Sequence, residues 1–542
     1  MTKAEKANNA TDLPEIATAK VRGKRKFDWR WLVAGVALVG LVATAIALNV
    51  NHVDDTVSKI TNTVDVDNGD LKINWERYQT VDVALEESLT ITESGTYHLT
   101  GSLEGGITIN AGVSEVRLIL DNVTINNPTG PAIACYNAED LVIELVGQNT
   151  LTSGSSYDAD SDVDGVIYSK ADLAFTGEGM LNVTSEYQDA IVGKDDVVFR
   201  GGVYNINSAD DGIRGKDSVY ITGGEFTITA TADAIKSTNT DNFGKGFVMV
   251  EGGKFNLTAG DKGLNAVKTI IVYGGDFTIA AQDDAVHSDS YIGIVGGDLK
   301  ITAGDDGMHT DRELIIDGGT IEVVKAYEGL EGQVITINNG TITVTASDDG
   351  LNAGGGADSS ATTNTRGGMD AFAADENCAL TINGGSVYVN SGGDGVDSNG
   401  YLYFNGGTTI VDGPTNNGNG ALDSGLGIKM AGGTVIAVGA SGMAETLGAD
   451  SGVCNLSVYF TTMQAAGTVI EVRNSASEVV LSHTAAKTFN HLAAGSEALV
   501  PGETYTIYIN GAEYQTFTIS TVTTTIGNGN VNQHNMPGGQ RR

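Results

Sequence analysis

Residues 274–319 read GGDFTIAAQDDAVHSDSYIGIVGGDLKITAGDDGMHTDRELIIDGG, and this stretch decides the fold because it repeats itself every 22 residues. A glycine pair recurs at positions 274, 296 and 318. The runs that follow, DFTIAA and DLKITA, alternate polar and apolar residues, which is the pattern of a half-buried β-strand. The glycine pairs supply the positive φ angles that tight turns require.

The same unit extends in both directions along the chain. Triplets of the Asp-Gly-Ile type begin at residues 189, 211, 233, 262, 284, 306, 328, 349 and 394, and most lie 22 residues apart. A fixed period of short strands, with no helical pattern between them, predicts a β-solenoid. The predicted fold class is all-β, a right-handed parallel β-helix. A propeller blade needs about 40 residues, and the leucine-rich repeat has a Leu/Asn signature that is missing here.

Composition and hydropathy divide the chain into six segments. Residues 31–48 are uncharged and apolar, and a helix of this length spans about 27 Å, enough to cross a bilayer. The basic cluster before them predicts a cytoplasmic N-terminus and an extracellular remainder, a single-pass protein of the cell membrane. A cleavable signal peptide is the alternative. The predicted segments are a cytoplasmic basic segment (1–30), a transmembrane anchor (31–48), a linker (49–85), the β-helix (86–452), a small C-terminal β unit (453–520) and a disordered tail (521–542).

The net charge of the chain limits the kinds of molecule that it can bind. With 31 Lys+Arg against 68 Asp+Glu, the net charge is −37. This disfavours nucleic acid, which needs a basic face, and it concentrates divalent cations. A hydrophobic content of 41 % excludes a disordered acidic chain. The thiols of Cys135, Cys378 and Cys454 lie too far apart in sequence for a CxxC metal motif or a disulfide framework, so we expect buried free thiols.

Successive turns of a β-helix place equivalent residues above one another. One such column follows the buried aliphatic residue of each triplet, and alternation along a strand makes it point away from the core. The predicted column is Arg214, Lys236, Asn265, His287, His309, Glu331, Asn352, Asp397 and Asp423. In it, His287-Ser-Asp289 would stack on His309-Thr-Asp311.

The aspartates around these histidines are candidate metal ligands. Six carboxylates in two adjacent turns repel one another unless a cation lies among them, and oxygen-rich clusters favour Ca²⁺. The predicted calcium ligands are Asp283, Asp284, Asp289, Asp305, Asp306 and Asp311. Two alternatives stay open: the aspartates cap turns, or His287 and His309 bind zinc. The residues predicted to contact a ligand on this face are Arg214, Lys236, His287, His309, Glu331 and Asp349.

Several motifs together resemble a known family. They are SGTYHLTGSL (94–103), VRLILDNVTINN (116–127), GQNTLTSG (147–154), DDAVHSD (283–289), GDDGMHTD (304–311), AAGTVIEVRN (465–474) and PGETYTIYING (501–511). In these the chain resembles, over about residues 80–520, the bacterial carbohydrate-binding-domain proteins built on a parallel β-helix related to pectate lyases. The resemblance implies binding of calcium and of polysaccharide, including acidic sugars such as polygalacturonate.

The residues and the resemblance together predict an extracellular, membrane-anchored protein that binds polysaccharide through calcium. An acidic glycan would be repelled by so acidic a surface, so a cation must bridge the two sets of carboxylates. One alternative is a calcium-dependent lyase acting by β-elimination, which needs a base near the metal. The other is a non-catalytic surface adhesin or spacer. A binding protein without catalytic activity is the favoured interpretation.

Overall fold

The computed structural model describes residues 73–157, 162–242, 244–354 and 374–528. Apart from a short 3-10 helix at Trp75–Arg77, the elements of these residues are β-strands. They form a parallel β-solenoid of about 15 turns, which confirms the predicted all-β solenoid. No helix within them is long and apolar enough to cross a bilayer. The predicted anchor at 31–48 and the basic segment before it lie outside the described residues.

Each turn contributes to three parallel sheets. Sheet 1 follows the Asp-Gly turns, sheet 2 follows sheet 1 along the chain, and sheet 3 follows the glycine pairs. Sheet 1 contains Leu89–Ile91, Ile107–Asn110, Ile133–Asn137, Gly165–Ser169, Asp189–Gly193, Ile213–Gly215, Ile235–Ser237, Leu264–Ala266, Val286–Ser288, Leu351–Ala353, Val396–Ser398 and Leu422–Ser424.

Sheets 2 and 3 contain longer strands. Those of sheet 2 are Thr80–Leu85, Asp140–Val146, Asp172–Gly177, Phe247–Val250, Thr269–Val272, Tyr291–Ile294, Ala379–Ile382, Tyr401–Phe404 and Gly427–Met430. Those of sheet 3 are Gln148–Ser153, Met180–Thr184, Lys254–Ala259, Asp276–Ala281, Asp298–Thr302, Thr320–Ala326, Thr341–Ala346, Ser386–Ser391, Thr408–Asp412 and Thr434–Gly439. Some strands continue around a corner, from sheet 2 into sheet 3 (Gly95–Glu104, Val116–Asn127, Asp196–Ser208, Ser218–Ala230) or from sheet 1 into sheet 2 (Met308–Ile316, Leu330–Ile337).

The inward side chains of all three sheets fill one continuous apolar core. Like residues stack in it from turn to turn: the Phe226, Phe255 and Phe277 rings lie nearly parallel, with centroids 5.0 and 4.3 Å apart. At the corner between sheets 2 and 3 the second glycine of each pair has positive φ, for example Gly275 at 116°. A Cβ there would lie 3.1 Å from the carbonyl oxygen of Gly253 in the preceding turn, so the corner requires glycine. The three cysteines are buried and free, as predicted.

Both ends of the solenoid differ from the predicted boundaries. The strand Thr80–Leu85, assigned above to the linker, already pairs in parallel with residues 96–101. After the last turn, Asn455–Gln464 and Phe489–Ser496 form antiparallel pairs that extend sheet 3, and Val469–Asn474, Val479–Thr484, Thr504–Ile509 and Ala512–Thr518 form a separate sheet over a second apolar core. Thr523–Ile526, assigned above to a disordered tail, is a strand that pairs with residues 455–458.

Candidate functional site

The predicted column lies in sheet 1 in unbroken register. From Arg214 to Asp423, each member pairs with the next along the solenoid. We call it the ladder column. Its residues point away from the apolar core, but most are half-buried, and His309 is fully buried. The column is therefore partly removed from water, which strengthens the interactions among its charges.

At most column positions a carboxylate three residues earlier holds the turns together; the exceptions are Lys262 before Asn265 and Gly420 before Asp423. One oxygen of this group accepts a hydrogen bond from the backbone N–H at the equivalent position of the next turn. In the described turns these bonds run from Asp189 to Asp211 (3.0 Å), Asp211 to Asp233 (3.1 Å), Asp233 to Lys262 (2.9 Å), Asp284 to Asp306 (3.0 Å), Asp306 to Glu328 (3.3 Å), Asp349 to Asp394 (2.6 Å) and Asp394 to Gly420 (2.5 Å). Turn capping, one of the two alternatives above, is thus a role these aspartates have.

The second oxygen of the same carboxylate faces the ladder column, so its partner depends on which residue occupies that column position. Near the N-terminal end it meets a cation. Arg214 lies 2.6 Å from Asp164 and also contacts Asp189, while Lys236 lies 2.6 Å from Asp233. Arg214 and Lys236, predicted to contact a ligand, therefore already have their charges balanced inside the protein.

In the middle of the column two histidines take the place of these cations. The His287 and His309 rings stack with centroids 5.1 Å apart and planes 12° apart. The Nδ1 of His287 lies 2.8 Å from Asp284, and its Nε2 lies 3.3 Å from Asp289. The stacking of the two His/Asp pairs on one face is as the column predicted.

His309 is surrounded by acids on three sides. Its Nδ1 lies 3.0 Å from Asp306 and 2.7 Å from Glu331, and its Nε2 lies 3.5 Å from Asp311. Burial by itself would lower the pKa of His309, but the hydrogen bonds to Asp306 and Glu331 outweigh burial and raise that pKa to about 11. The pKa of His287 is raised by its two aspartates in the same way. His309 therefore acts as an internal cation at neutral pH, and the pKa of His287 moves in the same direction.

The six predicted calcium ligands do not form one cluster. Oxygens of Asp283, Asp284 and Asp305 lie within 4.8 Å of one another, and Asp283 is also ion-paired with Lys262. Asp306 instead groups with His309 and Glu331.

The two remaining predicted ligands, Asp289 and Asp311, are more exposed and face the Nε2 atoms of the two histidines. Lys262 and the protonated His309 therefore balance part of the negative charge in this segment, and His287 forms hydrogen bonds with Asp284 and Asp289. Calcium coordination by these six residues stays a prediction.

The C-terminal end of the column has a different balance of charge. Oxygens of Asp349, Asp394 and Asp397 lie within 4.8 Å of one another. We call these three residues the acidic end. In the described part of the chain, no Lys, Arg or His forms an ion pair with any of them. Burial, followed by repulsion from neighbouring carboxylates, raises the pKa of Asp349 to about 8 and that of Asp397 well above its usual range.

Two further groups border the acidic end. Asn352, the register neighbour of Asp397, donates from Nδ2 to Glu328 at 2.8 Å. Its Oδ1 is buried and has no hydrogen-bond partner. Burial and the charges of Asp423 and Asp394 raise the pKa of Glu445 to about 8. Sequence reasoning missed Glu445 because it lies beyond the last repeat, and it named neither Asp394 nor Asp397 as a metal ligand. The signal for this end was the absence of basic residues at positions 352, 397 and 423.

Oxygen donors with unbalanced negative charge suit a hard divalent cation. The lysines in or beside the ladder column do not have the properties expected of the base in a lyase. A general base must lose its proton near neutral pH, yet ion pairs with neighbouring aspartates overcome burial and raise the pKa of both Lys236 and Lys262. The arrangement can hold a cation and bridge it to an anionic ligand.

Three comparisons with known proteins found similar sequences and a similar structure. A family model described as "Carbohydrate-binding domain-containing protein" matches residues 85–350 and 270–418. A protein of that description from Acetivibrio thermocellus is 36 % identical over 209 residues, which are 37 % of this chain and 73 % of the relative. A solved structure, the gadolinium derivative of a polysaccharide lyase-like protein from C. thermocellum, has 28 % identity and a TM-score of 0.36; the match covers 44 % of this chain and 96 % of that one.

Proposed function

Because the chain belongs to the carbohydrate-binding domain-containing family, we propose that it binds an acidic polysaccharide through calcium held at the acidic end. The observation that carries the proposal is the change of counter-charge along the ladder column. Arg214, Lys236 and the two histidines balance carboxylates in the earlier turns, whereas Asp349, Asp394 and Asp397 have no ion-paired cation among the described residues.

The residues present fit a calcium ion. Asp349, Asp394 and Asp397 would supply carboxylate oxygens, and the buried, unpartnered Oδ1 of Asn352 would add a neutral one. Calcium takes six to eight oxygen ligands, so a site on this face leaves positions for water or for a ligand. The bound ion supplies the positive charge that lets carboxylates of a glycan approach a protein of net charge −37.

The proposed ligand class follows from charge. A polyuronate presents carboxylates at regular intervals, and a protein of net charge −37 would repel them in the absence of a cation. With calcium bound, the same carboxylates become ligands. We therefore expect retention on polygalacturonate that requires calcium, and we place this activity outside the cell, with residues 31–48 as the membrane anchor.

The experiment compares retention on immobilised polygalacturonate with calcium and with EDTA. The variant Asp397→Asn removes one ligand charge, and Asp298→Asn, at an exposed position of sheet 3, is the matched control. We expect EDTA and Asp397→Asn each to lower retention at least tenfold and Asp298→Asn to leave it unchanged. Retention that is equal with calcium and with EDTA would refute the proposal.

A further inference from the structure

The outer face of sheet 3 carries a second surface with different chemistry. Two outward positions of each strand align over six consecutive turns. The first column is Thr150, Asn182, Asn205, Thr227, Asn256 and Thr278. The second column is Thr152, Thr184, Asn207, Thr229, Thr258 and Ala280. We call the two together the Thr/Asn strip.

The strip is solvent-facing and carries no charge. From Asn207 to Ala280 its members are exposed, and the members before Asn207 are half-buried. Charged side chains begin at its borders: Glu225 and Lys254 lie beside it, and Lys300, the next residue of the first column, is ion-paired with Glu322 at 2.8 Å. In a chain of net charge −37, a polar surface without charge is a distinct chemical environment.

The strip is also pre-ordered. Threonine is β-branched and has few accessible χ1 rotamers in a strand, so little side-chain entropy is lost when it binds. Two of its four asparagines are held by hydrogen bonds: Asn182 donates to the backbone oxygen of Asn149 at 3.1 Å, and Asn205 donates to Asn182 Oδ1 at 2.9 Å. Adjacent turns lie about 4.8 Å apart, so six turns give a regular array roughly 24 Å long.

We infer that the Thr/Asn strip binds an extended, uncharged polysaccharide that lies along the solenoid axis. Threonine hydroxyls and asparagine amides each donate and accept hydrogen bonds, and sugar hydroxyls do the same. A single such bond adds only about 0.5–1.5 kcal/mol after competition with water, so a ligand that repeats along the strip is required. An acidic polymer finds no counter-charge there. A protein partner is disfavoured because binding hot spots are enriched in Trp, Tyr and Arg, and the strip contains none.

This inference rests on the proposed polysaccharide-binding function but assigns a separate, calcium-independent surface. The test uses immobilised cellulose and mannan as uncharged polymers and polygalacturonate with calcium as the acidic one. The variant Thr229→Glu with Thr258→Glu places two charges on neighbouring turns of the strip at exposed positions. The control, Thr504→Glu with Thr518→Glu, adds the same charges to an exposed threonine pair of the C-terminal unit.

We expect the strip variant to lose at least tenfold in retention on the uncharged polymers, with or without EDTA, and to keep wild-type retention on polygalacturonate. The control variant should bind both polymers like the wild type. The inference is overturned if the wild type is retained on neither uncharged polymer, or if the strip variant is retained as well as the wild type. A wild type that is retained on the uncharged polymers but not on polygalacturonate with calcium would instead count against the proposed calcium site.

Discussion

The two halves of the ladder column have the same backbone and opposite electrostatics. In both, an aspartate caps the next turn, as Asp306 does for Glu328 and Asp349 does for Asp394. In the first half the second oxygen meets an Arg, Lys or His, and in the second half Asn352 and Asp397 offer no positive charge. The comparison teaches that one residue per turn decides whether a capping carboxylate is balanced internally or is available to an external cation.

The largest expected effect on stability comes from a substitution in the first half of the ladder column, where cations balance the carboxylates (the balanced half). Asp306→Ala removes the cap on Glu328 and one of the acids around the fully buried His309. Removing one partner of a buried pair costs about 3–5 kcal/mol, so we expect a loss of that size in the free energy of unfolding. Urea denaturation measures it. Asp298→Ala, at an exposed position, should stay within about 0.5 kcal/mol of the wild type.

Calcium should stabilise the protein by binding to the second half of the ladder column, where the carboxylates of the acidic end have no ion-paired cation among the described residues (the unbalanced half). A ligand that binds only the folded state at 100 times its Kd adds about 2.7 kcal/mol to the free energy of unfolding. We expect calcium to raise the thermal midpoint and EDTA to reverse the shift. Asp397→Asn should abolish the shift, and Asp289→Asn, on the histidine segment, should keep it. An equal loss in both variants would place the ion elsewhere.

The balanced half should also respond to pH. The pKa of His309 is raised to about 11 in the folded state, against about 6.5 unfolded. The stability it contributes is therefore fully present below pH 6.5 and is lost as pH rises toward 11, at up to about 1.4 kcal/mol per pH unit. Unfolding of the wild type and of His309→Asn between pH 7 and 9 measures this difference. Parallel pH profiles would show that His309 is not charged.

The smallest expected effect is on the free energy of unfolding of the metal-free protein, after a substitution in the unbalanced half. Burial and neighbouring carboxylates raise the pKa of Asp397 well above its usual range, so its ionised form is less favourable in the folded protein than in the unfolded chain. In EDTA at pH 8, Asp397→Asn should raise the free energy of unfolding by about 1 kcal/mol, the opposite sign to Asp306→Ala. Guanidinium denaturation in EDTA provides the measurement, and a lower stability than the wild type would contradict an uncompensated carboxylate.

The sequence predicted the register of the ladder column more completely than the contacts that its members make. The 22-residue period was enough to align Arg214, His287, His309 and Asp397 in one column, because parallel strands keep a fixed register. Which carboxylate each of them contacts did not follow from the period. Arg214 pairs with Asp164, 50 residues earlier, and this depends on the direction in which a long side chain extends along the stack.

The amino-acid sequence by itself determined the solenoid, its glycine corners and the alternation of buried and outward residues, because strand periodicity and positive φ are local properties of the chain. Tertiary structure alone decided which of the many aspartates are balanced. Charges interact over several ångströms in three dimensions, and burial sets how strongly they do so. The same holds for the Thr/Asn strip, whose separate threonines and asparagines form a surface only once six turns bring them into register.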